Sequence, residues 1–133
     1  MEIYPSPFMF ILYVENQQLS RAFYAKLLNR EPELDVPGMT EFRLSDGLVL
    51  GLMPNAGIAR ILSPVCPLPG TGTGIPRCEL YFRVQDADSS TGYAVSCGAA
   101  MVQEAQDRDW GDRVGYVADP DGHIIALAGP LKL

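Results

Sequence analysis

The chain repeats itself, and this constrains its fold more than any other feature. Displaced by 70 residues, Leu12, Val14, Ala22, Phe23 and Leu27 fall on Phe82, Val84, Gly92, Tyr93 and Cys97. Displaced by 75, Asp46, Gly47, Val49, Gly51 and Leu52 fall on Asp121, Gly122, Ile124, Ala126 and Leu127. The second copy has therefore gained five residues ahead of its final hairpin. Self-similarity of this kind marks one supersecondary unit used twice.

Each copy reads strand, helix, three strands. Pro7 to Glu15 is an apolar run that suits a buried strand. Leu19, Ala22, Phe23, Tyr24 and Leu27 then recur at helical spacing, with Asn16 as N-cap and Pro32 beyond the end. EPELDV and MTEFRLS alternate as strands about a Pro37-Gly38 turn, and Asp46-Gly47 turns the chain into LVLGLMP. From Asn55 to Pro76, repeated Pro and Gly predict a linker, with one helical turn at NAGIAR. The pattern then returns: RCELYFRV, a helix capped by Asp86 or Asp88 and stopped at Gly98, AMVQE, DRVGYVA, the Asp121-Gly122 turn and HIIALAG. The prediction is one α+β domain over 1–133, with modules at 5–54 and 77–130 joined by a linker at 55–76. Two βαβββ modules can join their sheets into a half-open barrel around a central cleft, a natural ligand site.

Composition excludes several function classes. Ten basic residues against 16 acidic ones give a net charge of −6, with no basic cluster to grip a nucleic acid backbone. Three cysteines, Cys66, Cys78 and Cys97, lack CxxC spacing and form neither a disulfide framework nor a zinc site. Free thiols suggest a reducing compartment. The apolar start has no basic n-region and is too short to span a bilayer. A cytoplasmic protein without membrane or nucleic acid partners is expected.

The stretch Trp110 to Leu127, WGDRVGYVADPDGHIIAL, together with the opening VENQQLSRAFYAKLLNREP, resembles the vicinal oxygen chelate superfamily. That superfamily contains glyoxalase I, extradiol dioxygenases, fosfomycin resistance enzymes and bleomycin resistance proteins. The resemblance implies the glyoxalase/bleomycin resistance fold, a homodimer, and metal ligands at four strand positions facing the cleft. Those positions are Met9, Gly51, Glu79 and Ala126 in this chain. A catalytic divalent metal needs about three imidazole, carboxylate or thiolate donors. A thioether, a hydrogen, one carboxylate and a methyl do not supply them, so neither a metal nor another cofactor is expected.

Strand alternation then selects the cleft face. Met9 brings Ile11 and Tyr13; Gly51 brings Val49 and Met53; Glu79 brings Tyr81 and Arg83; Ala126 brings Ile124 and Ala128. Such an apolar, aromatic cleft suits a flat small molecule, although the same side chains would also fill a barrel. Glu79 serves as general base or cation anchor, or pairs with Arg43 or Arg83. Trp110, in the polar loop QDRDWGDR, stacks on a ligand or covers a dimer seam. Arg113 binds an anion or pairs with Asp109 or Asp112, and Tyr116 faces the cleft or a partner subunit. His123 is expected to be an exposed turn residue. GTGTG at Gly70–Gly74 lacks a lysine and a following helix, and reads as linker rather than phosphate loop.

The leading expectation is metal-independent binding of a small molecule. By resemblance this includes sequestration of antibiotics of the bleomycin type. Two alternatives are a lyase, isomerase or dioxygenase with a non-standard metal site, and a non-catalytic interaction dimer.

Overall fold

The computed structural model describes residues 1–132. The protein is α+β, and the chain divides into two compact units, Met1–Gly72 and Thr73–Leu133. Each carries one βαβββ module. The boundary falls inside the expected linker.

In the first unit, β1 (Phe8–Val14) leads into α1 (Gln17–Leu28), then β2 (Leu34–Val36), β3 (Met39–Ser45) and β4 (Leu48–Pro54). The sheet order is β1-β4-β3-β2; β1 runs parallel to β4 and the other pairs are antiparallel. α1 begins where the Asn16 side chain accepts a hydrogen bond from the Leu19 amide at 3.0 Å, satisfying an amide the helix cannot. It ends at Asn29, whose φ of 51° is the left-handed conformation that closes helices. Phe23 and Tyr24 face the sheet, their rings edge to face at 4.9 Å. They meet a core of Leu12, Val14, Phe42, Leu50 and Leu52. Met9, Ile11 and Tyr13, of opposite parity, lie on the face away from the helix, as strand alternation predicts.

The segment after β4 departs from the linker expectation. Asn55–Leu62 forms a full helix, α2, with Ile58 buried and packing directed at β4 and β1. Turn signals farther along the linker masked a short amphipathic pattern of Ile58, Ile61 and Leu62.

In the second unit, β5 (Glu79–Arg83) precedes α3 (Ala87–Ser96), β6 (Ala100–Asp107), β7 (Arg113–Ala118) and β8 (Ile124–Gly129). The order β5-β8-β7-β6 repeats that of the first sheet. The Asp86 carboxylate caps α3 by accepting from the amides of Asp88 and Ser89. α3 lies close against the sheet because Gly115 has no side chain. A Cβ there would sit 2.2 Å from Thr91 Oγ1. β6 runs three residues past the AMVQE strand of the sequence reading, as far as Asp107.

Candidate ligand-binding face

The five residues gained by the second module build its most chemically differentiated surface. In the first sheet Val36 pairs with Met39, three positions on, across the Pro37-Gly38 turn. In the second, Gln106 pairs with Val114, eight positions on. The extra length is a loop, Arg108 to Asp112, closed by the Arg108 amide donating to the Asp112 carbonyl at 2.8 Å. Gly111 takes φ +98°, which brings the chain back after Trp110 and accounts for the Trp-Gly pair in the sequence.

Three side chains of this loop lie on the sheet face opposite α3. The Trp110 indole Nε1 donates to the Tyr81 hydroxyl at 3.0 Å. That hydroxyl donates to Asp112 Oδ2 at 2.5 Å. Arg83 Nη1 reaches the same carboxylate at 3.3 Å, and its guanidinium lies 5.6 Å from the Tyr81 ring centroid. The chain Trp110–Tyr81–Asp112–Arg83 is directional. Burial and the bond to Asp112 raise the Tyr81 pKa, against smaller lowering by Trp110 and Arg83. Tyr81 therefore holds its proton and serves as a linker rather than a base.

The third loop contribution is Arg108, whose guanidinium lies 5.3 Å from the Tyr116 ring centroid. Tyr116 packs on Val114, Ala126 and Ala128, the small residues that floor this face. Register aligns Tyr116 with Ala126 and Ala126 with Tyr81, so the two tyrosines share a row across β7, β8 and β5. Glu79 is exposed at the start of β5. Beside it lies a depression of about 300 Å³ lined by Pro76, Arg77, Cys78, Glu79 and Ile124.

The structure thus brings Glu79, Tyr81, Arg83, Trp110 and Tyr116 onto one face of the second module. It places Arg113 elsewhere. Arg113 ion-pairs on the helix side with Asp88 at 2.7 Å and Asp107 at 3.3 Å, partners other than the Asp109 and Asp112 suggested by sequence. The hydrogen bonds to Asp88 raise the Arg113 pKa and hold that of Asp88 below the usual carboxylate range. Met9, Tyr13 and Met53 line the corresponding open face of the first module. Arg108, and Asp112 as the partner of Tyr81, were missed. The signal was the loop length itself, since a five-residue hairpin loop with Gly at its fourth position can turn its side chains back over the sheet.

The family's metal positions can be tested against this geometry. Gly51 offers no ligating side chain, and its surroundings are tight: a Cβ there would meet Ile11 Cγ1 at 3.1 Å and the sulfurs of Met9 and Met39 at 3.4 Å. Ala126 is fully buried and presents only a methyl. Glu79 is left as the one oxygen donor of the four, and these residues do not fit a catalytic divalent ion.

A separate cluster sits in the β7–β8 turn, where ligand-type atoms of Asp119, Asp121 and His123 lie within 4.8 Å of one another. Here the sequence expectation for His123 is corrected. It is half-buried, and its Nδ1 is 2.8 Å from Asp119 Oδ2. Asp119 also accepts from the amides of Asp121 and His123, both at 2.9 Å, so its carboxylate is spent on holding the turn.

Known proteins place this architecture. Residues 8–132 match the glyoxalase-like domain model, and the chain belongs to that family, within the vicinal oxygen chelate superfamily. The solution structure of an Agrobacterium tumefaciens protein is similar at 31% identity and TM-score 0.73, over 93% of this chain and 96% of that one. A glyoxalase-related enzyme from Fulvimarina pelagi superposes with TM-score 0.78 at 22% identity, over 91% and 85% of the two chains. A Mycobacterium tuberculosis protein is 28% identical over 124 residues, 91% of this chain and 72% of that one. The fold is one used for small-molecule binding or enzyme-like functions in general. No helix among the described residues is long and apolar enough to cross a membrane.

Proposed function

We propose that this protein binds a flat small molecule without a metal, on the face built by Tyr81, Trp110 and Tyr116. The observation that carries this reading is the Trp110–Tyr81–Asp112 hydrogen-bond chain. An exposed indole would ordinarily sample several rotamers, at a cost to any ligand that orders it. Here it is held in place by a tyrosine that is itself anchored, which leaves an aromatic surface organised before the ligand arrives. Aromatic faces of this kind stack on planar rings. Met9, Tyr13 and Met53 offer a second, softer apolar surface on the first module, where thioethers adapt to irregular shapes.

An antibiotic of the bleomycin type is one candidate ligand, with Glu79 answering its positive charge. Trp110 is the only tryptophan, so its emission reports on the face directly. Titration with bleomycin should quench or shift that emission, and Tyr81→Phe should weaken the response. If the signal stays flat with bleomycin while neutral naphthalene derivatives change it, the antibiotic assignment fails and the binding face survives. The lyase, isomerase or dioxygenase alternative needs a metal site at other positions or metal-free catalysis by Glu79, because Gly51 and Ala126 offer no donor. We also propose a homodimer. β1 is an edge strand of seven uncharged residues, FMFILYV, and such edges favour pairing with another chain. Sedimentation equilibrium giving a mass near the 14.5 kDa of one chain would reject it.

A further inference from the structure

We infer that Arg108 is an anion-binding residue, and that the ligand of this face carries a carboxylate on its ring system. The inference rests on the binding reading above, and it favours an acid over the cationic antibiotic named there as the ligand.

Four arginines among the described residues are half-buried: Arg21, Arg43, Arg108 and Arg113. Three of them meet a carboxylate. Arg21 contacts Glu31 at 2.8 Å and Asp35 at 3.0 Å, Arg43 contacts Glu33 at 3.0 Å, and Arg113 contacts Asp88 at 2.7 Å. Arg108 has no ion pair among the described residues. Its Nη2 donates to the Val114 carbonyl at 2.9 Å, and its Nε is buried without an acceptor.

A guanidinium carries five N–H donors and cannot shed its charge. Partial burial without a counter-ion is costly, and a chain with a net charge of −6 has carboxylates to spare for neutralising it. Asp112, the carboxylate this loop places on the face, is already engaged by Tyr81 and Arg83. The Arg108 backbone is tied into the loop at both its amide and its carbonyl, so the side chain is held rather than adrift. What results is a fixed, planar, unneutralised cation lying on the face of Tyr116. A carboxylate matches that planar fork, and a sulfur or hydroxyl ligand does not.

The rest of the ligand follows from the row Tyr116–Ala126–Tyr81. Two strand spacings separate the tyrosines by roughly 10 Å. That is the scale of a two-ring aromatic with its acid group at the Arg108 end.

The test uses 2-naphthoate, its neutral counterpart 2-naphthalenemethanol, and inorganic phosphate, with binding followed by 1H–15N NMR at the arginine Nε–H and Trp110 indole resonances. Naphthoate should bind at least tenfold more tightly than the alcohol and move the Arg108 Nε–H signal. Arg108→Gln should abolish that preference, bringing the acid's affinity down to that of the alcohol. Arg108→Lys keeps a cation without the fork and should recover only part of it, which also covers the case that the Gln variant folds poorly. Equal affinities for acid and alcohol in the unaltered protein would overturn the anion site and leave the aromatic face standing. Phosphate matching naphthoate at the same resonances would overturn the ring-carboxylate assignment. Binding of neither naphthalene compound would sink the face and this inference together.

Discussion

The two modules share a topology and differ most in the hairpin between their second and third strands, which in the second module carries the proposed ligand face. In the first module β2 and β3 are joined by the tight Pro37-Gly38 turn, and the open face is apolar, with Met9, Ile11 and Met39 closing over Gly51. In the second, the longer β6–β7 hairpin throws Arg108, Trp110 and Asp112 onto the equivalent face. A duplicated scaffold has thus kept one plain copy and given the other a longer, chemically richer loop. Strand positions are fixed by pairing, whereas a hairpin loop accepts extra residues at small entropic cost.

The largest expected effect concerns how the second module keeps its other turn. The β7–β8 turn spans Asp119 to His123, against the two residues Asp46-Gly47 in the first module. The buried Asp119 holds it through two amides and an imidazole. Asp119→Ala should lower stability by about 3 kcal/mol, since removing a buried acceptor orphans its donors. Urea denaturation gives the value, and a loss under about 1 kcal/mol would mean the turn stands on its own backbone.

Next in size is Gly51→Ala in the first module. An added methyl must push aside Ile11 and the two methionine sulfurs, and a cost of about 1–2 kcal/mol is expected in thermal unfolding. Alanine normally gains over glycine in a strand. A stabilised variant would therefore mean that the first module's open face is loosely packed, and would reopen that position to larger side chains.

Tyr81→Phe tests the functional copy more gently. It removes the link between Trp110 and Asp112 and should cost about 1 kcal/mol or less, because the residue is partly exposed. Its sharper readout is Trp110 emission, which should move to longer wavelength as the indole is freed. Unchanged emission would show that the loop backbone alone positions the indole.

Much of this architecture was legible in the sequence because period-2 alternation and duplicated turn signals are local. The faces of β1, β4, β5 and β8 follow from parity once each strand is located, so Met9, Gly51, Glu79 and Ala126 fall where the repeat places them. α2 was obscured because helix propensity competes poorly against the Pro and Gly that follow it. The partners of Arg113 could not be read, since Asp88 lies 25 residues away on a helix. Arg108 escaped notice for a related reason. An arginine in a polar loop looks solvated, and only tertiary structure reveals which guanidinium lacks a carboxylate.

The smallest effect is set by His123. Burial works against its protonation, yet the hydrogen bond and charge of Asp119, helped by Asp121, raise its pKa above the ordinary value. A pKa raised in the folded state means that the folded protein binds the proton more tightly than the unfolded chain. The stabilisation is therefore complete below the unfolded value of about 6.5 and disappears as pH climbs through the folded one. The unaltered protein should lose a little thermal stability between mildly acidic and mildly alkaline buffer, beyond any loss shown by His123→Gln. The first module has no histidine, so the differential isolates the second module's turn. Parallel melting curves for the two proteins across that range would mean that burial cancels the pull of Asp119 on the proton, and that the turn is fixed by its amide bonds alone.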